Sequence, residues 1–93
     1  MKLVEEVKSL CKRLGEDNLV EAIDRFMLLN QGLEKTRGEH FAKAGIYGFL
    51  EGILTTLRIR HEDHKIEELL IRVKEAREKE EIFLRKARPP ISE

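Results

Sequence analysis

The chain has one cysteine, two prolines, no tryptophan and a formal net charge of zero. These shortages close off whole classes of function. Cys11 has no partner within the chain, so neither a disulfide framework nor a cysteine-based zinc site can be built. It falls on an apolar heptad position and reads as a small buried hydrophobe, since a catalytic thiol needs a paired base nearby. Lysine plus arginine balances aspartate plus glutamate, so no global field draws the protein to nucleic acid or to an anionic membrane. Side-chain amides are scarce: Gln31, Asn18 and Asn30 stand in a chain that is 39% charged, the bias of hyperthermophile proteins. No apolar run is long enough to span a bilayer, and charges recur from Lys2 and Glu5 onward, where a signal peptide would be apolar. The expectation is a single thermophile-like domain over residues 1–93, soluble and cytoplasmic.

What is present is one long apolar run, Phe41 to Leu57, in otherwise heavily charged surroundings. It holds no proline, and Lys43 and Glu51 are isolated charges, so it predicts a helix. Gly45, Gly48 and Gly52 interrupt it, each disfavoured in a helix interior by about 1 kcal/mol relative to alanine. At about 100° per residue the run divides into arcs. Phe41, Ala44, Gly45, Gly48, Gly52, Thr55 and Ile59 form a mostly small arc. Ala42, Ile46, Phe49, Leu50, Ile53 and Leu57 form a bulky one, and Lys43, Tyr47, Glu51 and Arg58 a narrow polar strip. A helix apolar on two sides should lie at the centre of the fold with neighbours on both. Ala44, Gly48 and Gly52, four apart, suit the close approach of another helix, inside the chain or across a dimer.

The remaining segments are helical as well. Leu3, Val7, Leu10 and Leu14 give an amphipathic helix over about 2–14, ended by Gly15. Asn18 to Glu21 has the form of a capping box for a helix over about 18–31, stopping at Gly32 with Leu33 folded back. A rival reading carries that helix through to Gly38. Thr36 to Glu39 has the form of a second capping box, launching the central helix over about 37–60. Asp63 is a credible N-cap for a helix over about 64–88, whose buried face is Ile66, Leu69, Leu70, Val73, Ala76, Phe83, Leu84 and Ala87, and which Pro89-Pro90 stops. No alternating strand pattern and no internal repeat is found. The fold class expected is all-α, a four-helix bundle-like domain with two short helices packed on a long helical hairpin. The short pair covers little more than half of the hairpin, leaving Ile82, Phe83 and Leu84 and part of the small arc uncovered. A homodimer through Ala44, Gly45, Gly48, Gly52, Ile82, Phe83 and Leu84 follows as the expected association.

Three constellations bear on chemistry. His61 and His64 with Glu68 could hold a divalent metal, though the stretch crosses a helix junction where charges serve as caps, and no H-E-x-x-H motif is formed. Tyr47 and Glu51, one turn apart with Lys43 before them, could be an acid–base pair or an anchored polar edge. Helix four is laced with i,i+4 pairs, Glu68–Arg72, Glu75–Lys79 and Glu81–Arg85. Arg85, Lys86 and Arg88 make a basic end that the helix dipole also explains, and neither a continuous basic face nor exposed aromatics marks a nucleic-acid groove.

Arg58 followed after six residues by His64 gives residues 42–70 a resemblance to the HEPN family of helical domains, in which such a pair serves RNA cleavage. The resemblance implies an RNA-binding or RNA-cleaving role, with Arg58 holding phosphate and His64 assisting attack by a 2′-hydroxyl. Over its whole length the chain resembles a small uncharacterised all-helical family of hyperthermophilic archaea, the Thermococcus–Pyrococcus group, which implies a helical fold and no assigned activity. From the residues themselves, the expected function is non-enzymatic association, with a second copy and an unnamed protein partner, and with no cofactor.

Overall fold

The structure, a computed structural model, describes residues 1–87. It consists of four helices, α1 (Lys2–Arg13), α2 (Asp17–Arg37), α3 (Glu39–Arg60) and α4 (His64–Ala87), the all-α architecture expected. Arg88, the Pro89-Pro90 stop and the side chain of Ala87, which the sequence placed on the buried face, lie outside the described residues. Each helix packs on the next in sequence, and α1 closes the ring by meeting α4; among the described residues α2 and α4 are not neighbours. Because α1 also reaches α3, the ring is flattened, with α1 behind α3 and α2 and α4 on its flanks. The molecule measures 51 × 25 × 20 Å.

Three turns make this arrangement. At the first, Gly15 takes a φ of 75°, its amide donates to the Lys12 carbonyl and that of Glu16 to the Cys11 carbonyl. This double bond pattern is the Schellman ending that the glycine implied. At the third, the Asp63 carboxylate accepts from the Lys65 amide at 2.9 Å, the N-cap expected for α4.

The second turn corrects the boundaries. Helix two does not stop at Gln31 but runs on to Arg37, as the rival reading had it. Gly32 remains helical because Leu33 keeps to the stripe and is half-buried there, while the break falls at Gly38, whose φ of 94° and ψ of 160° are reachable only by glycine. Neither capping box forms. Asn18 lies inside α2, which starts at Asp17 without a side-chain cap, and Thr36 donates back to the Gly32 carbonyl at 3.2 Å. Only α1 is therefore short; α2 spans about 31 Å. Gly38→Ala is expected to cost about 1–3 kcal/mol, read as a lowered denaturant midpoint at unchanged slope.

The core gathers where all four helices meet. Val7 and Cys11 of α1, Ile23 of α2, Leu54 and Leu57 of α3 and Leu69 and Val73 of α4 are fully buried there. Beyond the end of α1 the inner arc of α3 changes character, from Leu50 and Ile46 to Lys43 and Glu39, which pair at 2.6 Å. The side that α1 leaves uncovered is thus largely polar. The apolar surface left over lies elsewhere.

Candidate functional site

That surface is the outer face of α3. On its α2 flank, Phe49 stacks on Phe26 with centroids 4.3 Å apart, and Asn30, only 6% exposed, donates to the Ala42 carbonyl at 3.3 Å. On its α4 flank, Glu51 pairs with Arg77 and His40 with Glu80 at 2.6 Å. With α1 behind, the small arc between these flanks faces away from the chain. A methyl group added at Gly48 or Gly52 would meet nothing within 4 Å, and at Gly45 only Asn30 Oδ1 at 4.0 Å. Phe41 and Ile59, at the two ends of the arc, are 40% and 81% exposed. Leu29 of α2, one turn on from Phe26, is 75% exposed and widens the apolar surface on that side. Among the described residues no helix packs into the notches at Gly48 and Gly52, so the intramolecular form of that expectation is not met.

Ile82, Phe83 and Leu84 do not extend this face. Consecutive helical residues diverge by about 100°: Leu84 shares the inner side of α4 with Val73, Ile82 lies opposite, and the half-exposed Phe83 ring rests on His40 with centroids 3.7 Å apart. The seven sequence positions expected at one interface therefore separate into four on the outer face of α3 and three at scattered places on α4.

At the α3–α4 junction, Arg58, His61 and His64 line one shallow depression of about 260 Å³ together with Glu62, Asp63 and Glu67. The working groups are already engaged or opposed. Arg58 lies 3.6 Å from Glu67, His61 Nε2 is 2.7 Å from Glu16 Oε2, and Glu68 pairs with Lys65. Among the described residues no three His, Cys, Asp or Glu side chains are grouped to hold a metal, so His61, His64 and Glu68 do not converge. Three carboxylates around the depression also oppose a phosphate there.

What the junction does is hold the fold together. Glu16, in the α1–α2 turn, accepts from both Arg60 (2.9 Å) and His61 in the α3–α4 turn, and Arg13 pairs with Asp63 at 2.9 Å. Farther along, Arg72 forms two parallel hydrogen bonds of 2.8 Å to Glu6 of α1, a bidentate geometry. The sequence pointed Arg72 to Glu68, its neighbour one turn away; nothing local signals a partner on α1. The hydrogen bond from His61 holds the Glu16 carboxyl below its ordinary value of 4.5, that from Arg72 does so for Glu6, and that from Arg13 lowers Asp63 below 3.8.

These depressed values fix the sign of a pH effect. Folded carboxylates that hold their protons less tightly than unfolded ones stabilise the fold above the unfolded values and lose that contribution as pH falls through the folded ones. The melting temperature is therefore expected to fall as pH drops below about 4.5, and Glu16→Gln to flatten the acid limb. An unchanged acid limb in that variant removes Glu16 from the account.

The other titratable candidates are quiet. Lys43 is held by Glu39 and Glu51 by Arg77, so Tyr47 has no carboxylate partner on its own helix; burial, then the Glu80 charge, pushes its phenol up. Cys11 is fully buried and burial pushes its thiol up to about 11. Asp24 of α2, one turn from Glu21, is taken by Lys8 of α1 at 2.6 Å. No helix among the described residues is long and apolar enough to cross a membrane.

A crystal structure described as that of a singleton protein from P. furiosus is 63% identical in sequence and superposes with a TM-score of 0.85, covering 87% of this chain and 89% of that one. No curated protein matches. The model of a family described as Protein of unknown function (DUF3216) matches residues 4–93. With nearly its whole length matched, the chain belongs to that uncharacterised family.

Proposed function

We propose that the protein is a non-enzymatic, self-associating helical domain, with the outer face of α3 as the surface that takes up a second copy. One observation carries this reading: among the described residues the arc from Phe41 to Ile59 has no helix packed on it, with Arg37 over the Phe41 ring at one end, Ile59 81% exposed at the other and free space above Gly48 and Gly52 between them. A solvated helix face gains nothing from glycine, which disfavours the helix by about 1 kcal/mol at each position relative to alanine. Close approach of a second helix offsets that cost, because bare backbone lets two axes come together and recover dispersion contacts. Of the groups that the sequence offered for chemistry, Arg58, His61, Glu51 and Lys43 are engaged in ion pairs that join one helix or turn to another or brace one helix. Light scattering at micromolar concentration should give twice the chain mass of 10.9 kDa. A mass of one chain at that concentration would end the proposal.

A further inference from the structure

The open face also says how two copies lie together, and we infer that α3 packs antiparallel against α3 of the second copy, with the two-fold axis passing beside Gly48. This inference rests on the self-association proposed above.

In an isologous contact, whatever residue i meets, the partner's equivalent meets residue i in return. An antiparallel pair centred on Gly48 sets Ala44 against Gly52 and Phe41 against Thr55. The sizes then complement one another: the Phe41 ring, 40% exposed, faces the low stretch at Thr55 and Gly52, while the smallest residues meet at the axis. A parallel pair would place Phe41 on Phe41 and Gly52 on Gly52, a clash at one end and a void at the other. The two-fold axis lies in the plane of the contact, so α2 rests over α2, and Leu29 is covered on both copies.

The area suffices for a dimer. In this register α3 overlaps its copy over residues 39–57, about 28 Å, and with the adjoining strip of α2 the face is roughly 20 Å wide. That gives about 570 Å² per copy and about 1,100 Å² in all, above the roughly 1,000 Å² that a specific interface needs. The outward arc itself carries no charged side chain; the charge at its edge, Arg37 of α2, lies over the Phe41 ring, 5.5 Å from its centroid.

Disulfide trapping tests the arrangement. Phe41→Cys and Thr55→Cys are prepared separately and oxidised alone and as an equal mixture, with Cys11 left in place because it is fully buried. In the antiparallel pair, copies of position 41 stand about 21 Å apart, beyond the 7 Å reach of a disulfide. Neither variant alone should cross-link, and the mixture should give covalent dimer approaching the statistical share of mixed pairs. Gly48→Cys, on the axis, should link with itself. If scattering shows dimers but each variant links to its own kind, the copies lie parallel and this inference fails while self-association stands. If dimers form and none of these positions links, the contact is on another face and the inference fails. If scattering shows single chains, both readings fail together.

Discussion

Replacing Leu54 with alanine is expected to lower the unfolding free energy by about 3 kcal/mol and the melting temperature by roughly 12–24 °C. Leu54 is fully buried on α3, in the one region where all four helices contribute to a single cluster that includes Val7, Ile23 and Val73. Truncation removes three carbons' worth of transfer free energy and leaves a cavity that helices held at three turns have little room to close. Leu28→Ala provides the comparison, because that side chain is 66% exposed and its loss should change stability by no more than about 0.5 kcal/mol. Thermal and urea unfolding followed by helical circular dichroism read both. A Leu54→Ala loss under about 1 kcal/mol would mean that α3 is not the member on which the others are assembled.

The second large effect falls on association and spares the fold. Gly48→Arg should weaken the self-dissociation constant at least about 100-fold, since a guanidinium at the two-fold axis meets its own copy and is taken out of water with no anion opposite. The separate chain has open space at this position, so the substitution is sterically free there and improves helix propensity. The expected outcome is therefore a single-chain mass with undiminished helicity. Gly48→Ala sharpens the contrast: it should make the isolated chain slightly more stable while making the pair weaker. Two glycine substitutions that raised monomer stability and left the mass doubled would show that some other surface joins the copies.

How far the molecule could be read from its residues depends on the range of the forces involved. Helix number, the α1 ending at Gly15 and the Asp63 cap follow from periodicity and from groups within three residues of one another, and each of these is found. The end of α2 was ambiguous because Gly32 and Gly38 are both plausible stops. What decides is the burial of Leu33 against the rest of the fold, and tertiary packing overrides the modest cost of one helical glycine. The small arc was legible as an arc and as uncovered in part, but not as wholly outward, since that depends on α2 and α4 taking the flanks of α3. The partners of Glu16 and Arg72 were not legible at all. They lie 44 to 66 residues away in sequence, and a charged chain offers many equally good candidates for each. The grouping of Arg58, His61 and His64 about one depression agreed with their spacing, while the acidic groups that engage or oppose them did not show in it.

The order of the helices around the ring has a kinetic consequence. Three of the four sides of the ring join elements adjacent in the chain, so most of the fold can be assembled from hairpins whose loops close cheaply. The seam between α1 and α4, fastened by Glu6 and Arg72, is the side of the ring that joins helices far apart in the chain, with the links of Glu16 and Arg13 across the two turns beside it. Folding in microseconds to milliseconds is the expectation for a topology so rich in local contacts, with that seam closing last.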